Sequence, residues 1–275
     1  MTAAHAPAIV RSVRKPAVKV TQRRILRSEW TKFRSLRSTV WTLLIAVVVM
    51  IGIGAVFSSV TAGQYHAFSA ADRASFNAAA TSLAGFSLAP LAIGVLGVLL
   101  ISGEYSTGMI RASLTAVPRR LPVLWGKLTV FAGVVFSLSL LASVISFYLG
   151  QSLLAGHHLN VAITAPGVPR SVLGAALYVT VAGMIGLALG AVLRNTAAAI
   201  SAFVAVFFVI PQLTGLLPSS ISNHLTQYLP SNAGTAMFGA TPGHALSPWA
   251  GFAVLFAYAA ILITAAAYRL RHHDA

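Results

Sequence analysis

Charge is scarce in this chain, and the chemistry it can support concentrates in residues 103–127. That stretch holds Glu104, one of only four acidic residues, and four bases, Arg111, Arg119, Arg120 and Lys127. It lies between two long apolar runs, so its middle meets water while its ends meet a membrane. Glu104 directly follows the first of those runs. A carboxylate in such a low-dielectric margin is costly unless it is paired. The candidate partners are Arg111, two helical turns on, and Arg24 or Lys32 upstream; the alternative is that Glu104 caps a helix N-terminus. Gly108 allows a sharp turn after Thr107. Residues 109–117 then read as a short helix that Pro118 stops, with Arg119 and Arg120 at the lipid surface.

Other chemistry is conspicuously missing. Glu29, Asp72, Glu104 and Asp274 are the whole carboxylate complement, which leaves paired-acid catalysis almost no material. The phosphate-cradling pattern G-x-x-x-x-G-K-[ST] is absent, because Gly126-Lys127 lacks both the preceding spacing and the following hydroxyl. Neither H-E-x-x-H nor G-x-S-x-G occurs. There is no cysteine, which excludes disulfides and thiolate chemistry. His157 and His158 read as loop polarity, with a metal or pH-sensing pair as the alternative. The residues therefore point to no catalytic group, no cofactor site and no metal site in this chain. No acid or base falls inside an apolar run, which argues against a proton relay.

The elements that position the charged stretch follow from composition. Of 275 residues, 57% are hydrophobic and 8% charged, where a soluble domain carries about a quarter charged. Such a chain cannot cover a water-facing surface, and it reads as an all-α integral membrane protein. A bilayer core about 30 Å thick takes about 20 apolar residues per helix. Six runs qualify, at 40–60, 81–101, 128–150, 171–193, 197–217 and 248–268. Pro90 with Gly94 and Gly97 suggests a kink in the second, and Pro211 a bend near the end of the fifth. Continuous apolar runs without alternation argue against a barrel. The first run starts too late and is too long for a cleaved signal peptide.

Ahead of the first run, residues 22–38 form a basic amphipathic helix. Arg23, Arg27, Arg34 and Arg37 share one face, with Ile25, Leu26, Phe33 and Leu36 roughly opposite and Trp30 at the edge. Such a helix lies in the headgroup plane, and Trp30 and Phe33 are expected to hold it there. Glu29 falls within the apolar arc. It is either a snorkelling or solvated acid, or it faces protein and pairs with a base of the 103–127 stretch. Residues 1–21 read as a disordered basic arm.

The net charge of +15 would suggest nucleic acid in a soluble protein. Beside apolar spans it points to anionic lipid and to orientation instead. Placing both termini in the cytosol puts 17 of the 19 Lys and Arg residues inside, leaving Arg73 and Arg170 outside. Residues 39–270 then form the six-helix membrane domain, with 102–127 a cytosolic loop, 218–247 a long outer loop and 271–275 a cytosolic tail. The loops 61–80 and 151–170 read as ordinary ones. The semi-apolar outer loop 218–247 is either short helices dipping into the outer leaflet or a plain solvated loop. Gly183, Gly186 and Gly190 form a small-residue stripe for close helix packing, within the chain or between two copies.

These motifs resemble a known family. Ser28-Glu29-Trp30-Thr31-Lys32 precedes the first span. Gly103-Glu104-Tyr105, Thr107-Gly108-Met109-Ile110-Arg111, Pro118-Arg119-Arg120 and Gly126-Lys127 follow the second. Leu229-Pro230-Ser231-Asn232-Ala233-Gly234 lies in the outer loop. In this order, over residues 22–270, the motifs resemble the permease subunits of type-2 ATP-binding-cassette (ABC) exporters. The resemblance implies a permease dimer, homo- or heteromeric, in the cell membrane, carrying separate ATPase subunits that hold the ATP and Mg²⁺. It implies an interfacial helix carrying Glu29, Trp30, Lys32 and Phe33, and a coupling helix between spans two and three. Coupling would then fall to Glu104, Thr107, Gly108, Arg111, Pro118, Arg119, Arg120 and Lys127. Drugs or antibiotics, lipids and peptides are all open as cargo. The residues alone agree: a membrane domain with no energy source of its own carries one charged loop on which a soluble partner can act. Six spans also make half the usual complement of a transport path. The alternatives are a stand-alone transporter or channel, or a non-transport membrane scaffold.

Overall fold

The computed structural model describes residues 21–106, 121–239 and 246–272. Thr107, Gly108, Arg111, Pro118, Arg119 and Arg120 lie outside the described residues, as do most of the basic arm and the last three residues of the tail. The described residues are helical and contain no strand. The helices are α1 (Gln22–Ser35), α2 (Arg37–Gln64), α3 (Ala70–Ser75), α4 (Ala78–Ser82), α5 (Ala89–Ser106) and α6 (Leu121–Ala155). They continue with α7 (Val168–Leu193), α8 (Thr196–Val204), α9 (Ile210–Leu213), α10 (Ser219–Thr226), α11 (Pro230–Thr235) and α12 (Pro248–His272). Among the described residues, six stretches are long and apolar enough to cross a membrane: Arg37–Ala67, Ala84–Tyr105, Leu121–Ala155, Val168–Leu193, Thr196–Leu216 and Pro248–His272.

The span edges differ from those the apolar runs predict, and each difference has a cause. The third span starts at Leu121, so Gly126 and Lys127 lie on helix α6 and not in a loop. A charge did not end the helix, because that charge is paired. The second span opens with a 3₁₀ turn at Ala84–Ser87, and its α-helix begins at Ala89. Pro90 is the second residue of α5, within the first turn, where a missing N–H costs nothing. The interfacial helix stops at Ser35, Leu36 is extended, and Arg37 opens α2. In the fifth span Pro211 acts as expected of a helix breaker. The chain widens into a π turn at Ala205–Val209 just before it, the usual way a helix accommodates such a disturbance.

Helix α7 is the centre of the bundle. Most of its apolar stretch is buried, whereas little of the fifth span is. Its glycine stripe faces α5 of the same chain. A Cβ on Gly183 would meet Ile93 and Phe131 at 2.8 Å, one on Gly190 would meet Ile101 at 2.7 Å, and one on Gly186 would fall on the Gly94 carbonyl. The stripe is therefore an internal packing face, and the backbones approach closely because no side chain intervenes.

At the end of the bundle away from α1, short helices are stitched to the long ones by polar groups. Ser146 donates to the Ser82 carbonyl at 2.7 Å, and Gln151 donates to the Ala78 carbonyl at 3.1 Å and to Ser82 Oγ at 2.9 Å. The same Gln151 side chain accepts from the Val161 N–H at 2.7 Å. Of residues 61–80, the start of α4 is thus built into the fold, whereas every residue of α3 is exposed. In the 218–247 segment, α10 and α11 are helical, and Ala233, Gly234, Met237 and Phe238 are buried. Gly234 lies against the Tyr178 ring of α7, and Gly251 of α12 lies against the Ala233 carbonyl.

Candidate functional site

Helix α1 presents Ile25, Glu29 and Phe33 to the bundle. These residues are four apart, so they stack along one face of the helix. Ile25 sits where Gly126 of α6 has no side chain: a Cβ there would meet Ile25 Cγ2 at 2.8 Å. Phe33 packs edge-on to Phe131 of α6, ring centroids 6.5 Å apart at 69°. These two apolar contacts clamp α1 onto α6, and Glu29, between them, is carried into the protein. Trp30 and Phe33, expected to act together at the lipid surface, divide: Trp30 is 48% exposed and Phe33 only 8%.

Of the two expectations for Glu29, the structure has the buried, paired one. Lys127 Nζ donates to Glu29 Oε2 at 2.8 Å and to Glu104 Oε1 at 2.9 Å. Lys32 Nζ donates to Glu29 Oε1 at 3.0 Å and to Glu104 Oε1 at 3.3 Å. Four formal charges thus form a closed ring, two of each sign, across α1, the end of α5 and the start of α6. Side-chain exposure is 6% for Glu29, 7% for Glu104, 8% for Lys127 and 31% for Lys32. Lys32 was one of the candidate partners for Glu104; Lys127, in the sequence a member of the loop, is the second.

The electrostatics follow from that burial. Burial by itself would push the Glu29 carboxyl up, but the ammonium groups of Lys127 and Lys32 outweigh it and hold it below its ordinary value. Burial would likewise push Lys32 down, and the carboxylates of Glu104 and Glu29 outweigh it, raising Lys32 above its ordinary value. Mutual attraction at low dielectric repays desolvation only when the pairing is close and hydrogen-bonded, as it is here. The ring is a device for position: each member is expensive to bury without the others.

The end of α5 is held from a second direction. Ser102 accepts from Thr196 Oγ1 at 2.9 Å. The Arg194 guanidinium lies over the Tyr105 ring, 5.3 Å from its centre, within cation–π range. Arg194 takes a left-handed conformation, φ 54°, closing the end of α7, and its Nη2 reaches the Arg269 carbonyl of α12 at 3.5 Å. Arg269 donates in turn to the Val192 carbonyl. Consecutive residues Glu104 and Tyr105 therefore tie α5 to α1 and α6 on one side and to the α7–α8 turn on the other. Tyr105 belongs to the motif after the second run, and Arg194 falls between the runs 171–193 and 197–217, but no local pattern sets one against the other. The available signal was an aromatic and a base each at the end of an apolar run.

Among the described residues, no group of three or more His, Asp or Glu side chains is arranged to hold a metal ion. The His157 ring lies 6.5 Å from the His66 ring.

An all-helical bundle with six candidate spans and a charge-locked amphipathic helix defines a multi-pass membrane protein. The family model described as ABC-2 family transporter protein matches residues 25–214, and the chain belongs to that family. The match includes all four members of the charged ring and stops short of α10 and α11. No curated protein matches the chain.

Proposed function

We propose that this chain is the permease subunit of an ABC exporter in the cell membrane, with both termini in the cytosol. Two copies, identical or paired with a related chain, form the substrate path. A separate ATPase subunit, which holds ATP and Mg²⁺, acts on residues 107–120. The observation that carries this reading is the buried ring. It joins the two helices flanking that segment, α5 through Glu104 and α6 through Lys127, and braces both against α1 through Glu29 and Lys32. A force on the segment then moves spans two and three as one body. The Tyr105–Arg194 contact passes the same displacement to the fourth and fifth spans. Drugs, antibiotics, lipids and peptides all remain open as cargo.

Affinity purification of the full-length chain from its native membrane tests the reading. A stoichiometric ATPase partner is expected, and its absence from a monodisperse, correctly folded preparation would overturn the proposal. In proteoliposomes containing both subunits, Glu104→Gln should leave the complex assembled while lowering substrate exported per ATP hydrolysed. An unchanged ratio would remove the ring from the coupling path.

A further inference from the structure

A cavity of about 530 Å³ lies beside the charged ring, between α1, α2, α5 and α6. Its volume is within the roughly 300–1,000 Å³ of small-molecule sites. One part of its wall is apolar and includes Leu96, Leu100 and Phe131. Glu104 forms part of the other wall. Leu36 and Leu99 also line it, and each is 46% exposed, so the cavity communicates with the apolar outer surface of the bundle. Both ammonium groups bond Glu104 through Oε1. Its Oε2 is buried and accepts no hydrogen bond among the described residues. A buried carboxylate oxygen left unsatisfied is costly, and its usual explanation is a donor that completes it.

We infer that this cavity binds a neutral amphiphile from the bilayer, an alkyl chain with a hydroxyl head whose O–H donates to Glu104 Oε2. The chain would lie along Leu96, Leu100 and Phe131, entering past Leu36 and Leu99. The head is neutral because the ring already balances two acids with two bases. A cationic head would add a third positive charge beside Lys32 and Lys127, and an anionic head would set its charge against Glu104. Occupancy would stiffen the joint between α1 and the ends of spans two and three. The site needs no ATPase, so its test stands apart from the transport proposal.

The test uses full-length protein in nanodiscs and a photoreactive long-chain primary alcohol, with adducts mapped by mass spectrometry. Adducts are expected at Leu96, Leu100 and Phe131, and filling the cavity with Leu100→Trp should abolish them. The methyl ether of the same probe, which cannot donate, should label the unmodified protein with about tenfold weaker apparent affinity. A fatty acid probe of equal chain length should also label more weakly. Equal labelling by alcohol and ether, or adducts confined to exposed residues such as Trp41 and Val48, would overturn the inference. If Leu100→Trp does not fold, the comparison of alcohol with ether on the unmodified chain decides.

Discussion

Lys127 carries the most weight of any single side chain here. It is 8% exposed and is the member of the ring that bonds both carboxylates at under 3 Å. Lys127→Met leaves Glu29 and Glu104 facing each other with Lys32 alone between them. Breaking a buried pair in this way costs about 3–5 kcal/mol. Lys32, nearly a third exposed, contributes less, about 1 kcal/mol after solvent screening. Thermal unfolding of the detergent-solubilised variants should therefore rank Lys127→Met well below Lys32→Met, and equal losses would contradict the ring's asymmetry. The pH dependence has a definite sign. Glu29 is lowered, so its contribution is complete above its ordinary value of 4.5 and is lost as pH falls through the lower folded value. Lys32 is raised, so its contribution is complete below 10.5 and is lost as pH rises through the higher folded value. The contribution of Glu29 and Lys32 to the unfolding temperature should be flat between those limits, measured as the difference between the wild type and Lys32→Met. A transition near neutrality in that difference would show that another group controls the joint.

At the scale of elements, α1 is held by shape as much as by charge. Its seat exists because Gly126 has no side chain beneath Ile25. Gly126→Val should lift α1 away from α6, lengthen the Glu29–Lys127 contact and destabilise by about 1–3 kcal/mol, the usual cost of overpacking. Hydrogen exchange across 22–35 should quicken in Gly126→Val and recover in part when Ile25→Ala is added. If the double variant exchanges as fast as the single one, the clamp lies elsewhere, and Phe33 on Phe131 is the next contact to test. The amphipathic period of α1 was readable in the sequence, as was the oddity of an acid in its apolar arc. The sequence narrowed a protein partner for that acid to the bases of 103–127, but not to Lys127, which lies 98 residues away and meets it only because α1 packs on α6.

For the whole molecule, the proposed orientation places 17 of the 19 Lys and Arg residues on the cytosolic side. The native chain lacks cysteine, so a single introduced one reports cleanly. Ser113→Cys should be unreactive to a membrane-impermeant maleimide in intact cells and should label after permeabilisation. Labelling of intact cells would reverse the orientation and with it the side on which an ATPase can act. The structure adds that the ring, the Tyr105–Arg194 contact and the Arg269–Val192 bond join the same ends of the helices. With the Thr196–Ser102 bond, they tie the second to sixth spans together at the end where the 107–120 segment attaches.

The sequence by itself determined the class and the number of spans. A bilayer of set thickness demands a run of set length, and backbone polar groups in lipid demand helices. It also determined where charge is concentrated, since so few residues carry any. Tertiary structure alone decided where the spans end and which charges meet. Lys127 and Gly126 read as loop because a lone ammonium ends an apolar run. In the fold they are helix, because Glu29 and Glu104 neutralise the one and Ile25 covers the other. The glycine stripe on α7 likewise had two possible partners in the sequence, and it was the packing of α5 across it that chose. Periodicity along one chain places a residue on a face; which element covers that face depends on contacts between distant segments, and a local pattern does not contain them.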